Sequence, residues 1–256
     1  MIRIIRAADR HYSDFGWLKT CWLFSFSEYY DPENIQFSAL RVFNDDVMMP
    51  GTGFPTHPHR EMEIITVVLD GEVTHADSMG NRTVIRSGDI QRMTAGTGLT
   101  HSEYNLGQKP VSFFQIWFHP DLHGLTPSYE QTTCSPDRCK NRLSLVASGR
   151  RDAAGSEGHP FISFHTDAAI YRGSFEEERT LHYRPERNRK IFMYIIRGEM
   201  VFNDWELGPR DQIRLDPEQA LIGRARSSCE LILIDLPSCR GLGYDREVLR
   251  GDTVSR

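Results

Sequence analysis

The chain has little lysine, an odd handful of cysteines and no long apolar run, and each shortage excludes something. Of its 256 residues, Lys19, Lys109, Lys140 and Lys190 are the only lysines. The thirty basic residues face thirty-five acidic ones, for a formal charge of −5. That is too near balance to mark a nucleic-acid or membrane surface. The longest apolar run, Ile191 to Ile196, has six residues, against the roughly 20 that span a bilayer. The N-terminal Met-Ile-Arg-Ile-Ile-Arg breaks its apolar residues with charge and lacks the h-region of a secretory signal. A cytoplasmic protein without membrane or direct nucleic-acid contact is expected. Cys21, Cys134, Cys139, Cys229 and Cys239 are odd in number and scattered, which argues against a disulfide framework. Cys134 and Cys139 have no second pair nearby to complete a zinc site and read as loop cysteines.

Long helical patterns are scarce. Short stretches rich in β-branched and aromatic residues recur instead, among them Phe37 to Phe43, Ile64 to Leu69, Val111 to Phe118, Ile191 to Ile196 and Leu231 to Leu236. Turns such as Asp70-Gly71 and Ser87-Gly88-Asp89 separate them. Many short strands predict an all-β chain of sandwich or small-barrel modules. A weak internal repeat pairs Val67–Val73 with Ile195–Val201, and Gly88–Met93 with Arg210–Leu215. The length then divides into modules over 1–128 and 129–237, joined through a polar connector near Asp121 to Asn141. The last residues, 238–256, lose the strand pattern and read as a tail.

The chemistry concentrates between Gly51 and Asn105. Residues two apart in a strand face the same way, so His57 and His59 project together, as do His101 and Glu103. Two neighbouring strands with these pairs facing inward bring three imidazoles and a carboxylate together. That donor set suits a divalent first-row transition metal and leaves coordination positions free. Glu63 follows His59 at a spacing that also suits a ligand, and it competes with Glu103 for the carboxylate role. His75 is left open between solvent and pocket; Phe43, Phe54, Gln115 and Trp117 are candidate lining. The other histidines lie in polar or turn surroundings.

The spacing Gly-x5-His-x-His from Gly51, with Gly71 downstream, matches the first cupin motif, and Gly88, His101 and Asn105 match the second. Together with Gly16-Trp17-Leu18, Tyr30-Asp31-Pro32, Thr56-His57-Pro58-His59, Met62-Glu63-Ile64 and Met93-Thr94-Ala95-Gly96 running into His101-Ser102-Glu103, the first 120 residues resemble the pirin family. These are bicupin proteins that include bacterial quercetin 2,3-dioxygenases; the second half matches in pattern only. The resemblance implies two tandem cupin β-barrels, with one divalent metal per chain held by His57, His59, His101 and Glu103. Iron is the first expectation, with nickel, copper, manganese or zinc as alternatives. It implies a dioxygenase cleaving flavonols such as quercetin with O2, Glu103 acting as ligand and proton acceptor, in a monomer. It also implies an alternative, a non-catalytic metal or redox sensor with a regulatory protein partner. Aligning the repeats sets Arg184, Glu186 and Lys190 opposite His57, His59 and Glu63, and Gly223 and Ala225 opposite His101 and Glu103. On that alignment the second module holds no metal.

Overall fold

The structure, a computed structural model, describes residues 2–150, 161–216 and 220–238. The chain packs as two compact units, one built from residues 11–87 and 93–129, the other from 2–10, 88–92 and 130–237. The expected tail over 238–256 lies, beyond Ser238, outside the described residues. No helix among the described residues is long and apolar enough to cross a membrane.

Both units pair a large sheet with a four-stranded one. In the first unit the large sheet places Glu63–Asp70, Val111–Phe118, Leu40–Met48, Leu18–Trp22 and His11–Asp14 side by side in that order. Its small sheet runs Gly53–His59, Leu99–Tyr104, Glu72–Asp77, Arg82–Arg86, with Gly53–His59 at the edge. The second unit repeats this scheme. Its small sheet runs Thr180–Tyr183, Leu221–Ala225, Met200–Phe202, Trp205–Leu207. Its large sheet begins with the first strand of the chain, Ile2–Ile5, paired antiparallel to Gln212–Leu215. Asp211 secures that junction, accepting hydrogen bonds from the Arg6 guanidinium at 2.7 Å and the Ala7 amide at 2.8 Å.

The interiors differ in one respect. In the first unit, the inward residues of each strand read apolar, polar, apolar: Val42, Asn44, Asp46, Met48; Ile64, Thr66, Val68; Phe113, Gln115, Trp117; and Leu18, Thr20, Trp22, all buried or nearly so. The apolar ends gather into two clusters, one around Met48, Val68, Val73, Ile85 and Phe113, the other around Val42, Ile64, Met93, Leu99 and Trp117. In the second unit the corresponding middle positions are apolar, as in Ile191, Met193, Ile195 and Leu231, Leu233, which form one cluster with Leu181, Met200 and Phe202. Arg189 and Asp235, at one end of the same runs, are buried and paired with each other.

The topology also corrects the alignment of the repeats. Asn105 and Ala225 hold equivalent places: the Asn105 amide donates to the Thr52 carbonyl and its carbonyl accepts from the Gly51 amide, as Ala225 does with Arg179 and Glu178. Gly223 therefore stands where Glu103 does and Leu221 where His101 does, two residues earlier than the repeat alignment sets them. Tyr183 is opposite Leu221 as His57 is opposite His101. Tyr183, rather than Arg184, occupies the place of His57. Arg184 and Glu186 fall in the turn after Tyr183, and Arg184 is exposed; the preceding strand ends before it reaches them.

The repeated hairpin is fixed by a glycine in each unit. Gly71 and Gly198 have φ of +81° and +73°, the left-handed region that favours glycine. A Cβ at Gly198 would lie 2.0 Å from the Ser228 carbonyl oxygen. Gly198→Ala should therefore destabilise the protein by more than about 1 kcal/mol, read as a lower urea midpoint. Gly208→Ala, where a Cβ meets nothing within 4 Å, should leave the midpoint near that of the parent.

Candidate metal centre

The strands Gly53–His59 and Leu99–Tyr104 pair antiparallel, and the register brings His101 opposite His57 and Leu99 opposite His59. A register shift between His101 and Glu103 on this side puts Glu103 opposite Phe54. On the other side of Leu99–Tyr104, Glu103 faces His75 and His101 faces Asp77. The rings of His57, His59 and His101 form a triangle with centroids 4.8, 4.4 and 4.9 Å apart.

Hydrogen bonding shows which nitrogens are available. His57 Nδ1 lies 2.8 Å from the Pro55 carbonyl oxygen. A carbonyl only accepts, so Nδ1 carries the proton and the lone pair of the neutral ring is on Nε2. The Nε2 atoms of His59 and His101 are buried without a hydrogen-bond partner. Burial holds the His59 imidazole down to about 3, with the neighbouring His57 adding to the effect. It also lowers His101, reinforced by His59, His57 and His75. Both rings are neutral at pH 7, the form that binds metal. An orphaned buried acceptor is costly, about 1–3 kcal/mol, and ligation to a cation would satisfy it. The donor set fits a divalent metal.

Glu103 approaches from the same strand but is held by the opposite sheet. Thr66 Oγ1 donates to its Oε1 at 3.3 Å and Gln115 Nε2 to its Oε2 at 2.6 Å, while Trp117 Nε1 donates to Gln115 Oε1 at 3.3 Å. Burial raises its carboxyl to about 7 against these two hydrogen bonds. Asp46, deeper in the same polar layer, is pushed up to about 8, first by burial and further by Asp45 and Glu103.

Among the described residues, two groups of three ligand-type side chains bring their donor atoms within 4.8 Å of one another: His57, His59 and His101; and His75, His101 and Glu103. The four expected residues thus share one neighbourhood, with His101 the member common to both groups. Glu63 stands apart. It is fully buried in the large sheet and accepts a hydrogen bond from Thr94 Oγ1 at 3.1 Å.

His75 is the residue that sequence reasoning left undecided. It is fully buried, its Nε2 is 3.1 Å from Asp77 Oδ2, and its Nδ1 is 3.5 Å from His101 Nδ1. The carboxylate accepts, so His75 Nε2 is the donor and its Nδ1 is left to accept from His101 Nδ1–H. This relay leaves the lone pair of His101 on Nε2, and it fixes the tautomer as partners of metal-binding histidines do. Asp77 is itself held by Asn81 Nδ2 at 2.8 Å. The signal in the sequence is the alternation Val73, His75, Asp77 along one strand.

Of the candidate lining residues, Trp117 meets His59 edge-on with centroids 4.8 Å apart, Phe54 lies 6.3 Å from His57, and Gln115 binds Glu103. Phe43 does not join them. Its strand position is out of phase with Val42 and Asn44, and its ring packs on Phe114 at 4.9 Å. His119, expected in polar surroundings, is buried.

The chain resembles known proteins along nearly its whole length. A family model described as Pirin matches residues 5–118, and one described as Quercetinase C-terminal cupin domain matches residues 145–236. The chain is 37% identical to a quercetin 2,3-dioxygenase of Escherichia coli over 238 residues, covering 93% of this chain and 99% of that one. It is also 37% identical to a pirin-like protein of Caulobacter vibrioides over 87% of this chain and 94% of that one. A crystal structure of a bacterial pirin from Escherichia coli in complex with nickel(II) superposes with a TM-score of 0.85 at 38% identity, covering 93% of this chain and all of that one. With two double-sheet modules in tandem and relatives of this closeness along nearly the whole sequence, the chain belongs to the pirin family and has its bicupin fold.

Proposed function

We propose that the protein holds one divalent transition metal per chain through His57, His59, His101 and Glu103, and uses it to cleave flavonols with dioxygen. The observation that carries this reading is the convergence of three imidazoles, two with buried and unpartnered Nε2 atoms, beside a buried carboxylate. The nickel(II) complex of the Escherichia coli relative supports a divalent metal, and its name as a quercetin 2,3-dioxygenase supports the reaction. We place the metal in the module over 1–128 and none in that over 129–237. There Tyr183, Leu221 and Gly223 stand where His57, His101 and Glu103 do in the first, and a Cβ on Gly223 would lie 2.5 Å from the Phe202 ring.

When bound, a divalent metal acidifies a hydroxyl placed against it and holds adjacent substrate oxygens. The work of the chain is to orient and to move a proton. Thr66 and Gln115 fix the Glu103 carboxylate toward the histidine cluster, and one of its oxygens takes the proton of the flavonol 3-hydroxyl. The electron-rich ring so formed reacts with dioxygen, and ring opening releases carbon monoxide. Phe54 and Trp117 offer aromatic faces and edges to flat substrate rings.

The direct test incubates metal-loaded protein with quercetin without oxygen and then admits air. Carbon monoxide should appear in step with flavonol loss. Stoichiometric metal with no carbon monoxide would overturn the catalytic reading in favour of a metal-binding regulator. Glu103→Gln should keep much of its metal while turnover per bound metal falls ~10²-fold or more, the scale of a general base; a loss that tracks metal content alone would make Glu103 an anchor only. In the metal-free protein Glu103 titrates near 7 and only its carboxylate form binds a cation. Metal affinity, read by chelator competition, should therefore weaken as pH falls through about 7, and Glu103→Gln should remove that step. His75→Leu should weaken metal binding by about 10-fold or more, and His75→Gln, which can still hydrogen-bond, should recover part of it.

A further inference from the structure

Cys134 and Cys139 read from sequence as loop cysteines, yet the fold brings them together. Cys134 follows the strand Ser128–Thr133, and its amide donates to the Gly88 carbonyl at 2.9 Å. Cys139 ends the single helical turn Pro136–Cys139, and the next residue, Lys140, bridges to Ser174. The chain is thus anchored on both sides of the turn, and the two Sγ atoms lie 3.6 Å apart. Both cysteines are buried, but the turn that joins them, Ser135 to Asp137, is exposed. Among the described residues they belong to no group of three or more metal-ligand side chains, so a closed zinc site is not built here.

We propose that Cys134 and Cys139 form a redox-active dithiol that a peroxide converts to an intramolecular disulfide. The two sulfurs need to approach from contact to a bond of about 2.05 Å, a movement within reach of one short turn. Either sulfur can donate to the other, and Cys134 Sγ also faces the Ser135 carbonyl at 3.9 Å. The shared hydrogen bond, with positive charge from Arg138 and Arg172 beside the pair, lowers the Cys134 thiol, while Cys139 is raised. Cys134 is accordingly assigned as the attacking sulfur. Its sulfur attacks one peroxide oxygen, the O–O bond breaks, and hydroxide leaves and is protonated to water. The Cys139 sulfur then attacks the Cys134 sulfenic acid, the S–O bond breaks, and a second water leaves. In sum, two thiols and one hydrogen peroxide give one disulfide and two waters.

The test uses the full chain in a chelator, so that bound metal plays no part. Reduced protein, denatured and treated with N-ethylmaleimide, should take one adduct on each of its five cysteines. After brief exposure to hydrogen peroxide it should take two fewer, and dithiothreitol should restore them. Arg138 lies between the two cysteines, so trypsin separates them and a Cys134–Cys139 link appears as joined peptides. Cys139→Ser should stall at a sulfenic acid on Cys134 that dimedone traps, whereas Cys134→Ser should leave Cys139 unoxidised. Arg172→Gln should slow the reaction several-fold. Five adducts after peroxide, or a sulfinic acid on Cys134 with no joined peptides, would overturn the proposal. So would oxidation of Cys21 or Cys229 at the same rate as this pair.

Discussion

The first unit is organised by a constraint the second one escapes: a layer of polar groups must be kept dry between two apolar clusters. Asn44, Asp46, Thr66, Gln115, His75, His101 and Glu103 are all buried, in the middle of strands whose ends are apolar. A buried polar group without a partner costs about 1–3 kcal/mol, so each bond between members of the layer lowers the cost of burying it. Trp117 donates to Gln115, Gln115 and Thr66 donate to Glu103, and Asp77 accepts from His75. Thr20 Oγ1, Asn44 Oδ1 and Asp46 Oδ1 are left without a hydrogen-bond partner, and so are the Nε2 atoms of His59 and His101. Of these, the two imidazole nitrogens converge with His57, where a cation can answer them.

The second unit shows the same sheets with an apolar middle layer, its buried Arg189 and Asp235 pairing with each other at one end. Met193, Ile195, Phe202 and Leu233 take the interior, and the cluster is continuous. One topology thus tolerates either filling, as expected when pairing and turn geometry set the fold and the interior sets the chemistry.

Much of this is legible in a single sequence, because strand periodicity is local. The alternation His57, His59 and His101, Glu103 places four side chains by counting in twos, and the glycines of the two hairpins mark the repeat. Three features resist such reading. Ile2–Ile5 pairs with a strand about 210 residues away, and nothing local announces the partner. Counting back from a glycine sets Arg184 opposite His57, but the connection between the strands differs in length in the two units and Tyr183 takes the place. His75 and the Cys134–Cys139 contact depend on which neighbour a strand or turn meets, which only the folded chain supplies. Phe43 shows the converse, since its parity with Asn44 already sets it on the other face.

The strand carrying His57 and His59 lies at an open edge of its sheet, and edges of this kind invite a stray strand from another molecule. Pro55 and Pro58 occupy two of its seven positions. Proline offers no amide donor and is tolerated in sheets chiefly at such edges or at bulges. The residues that space the histidines therefore also make the edge a poor template. The protein can leave this border uncovered for a small molecule to approach while refusing the β-addition that would seal it or seed aggregation.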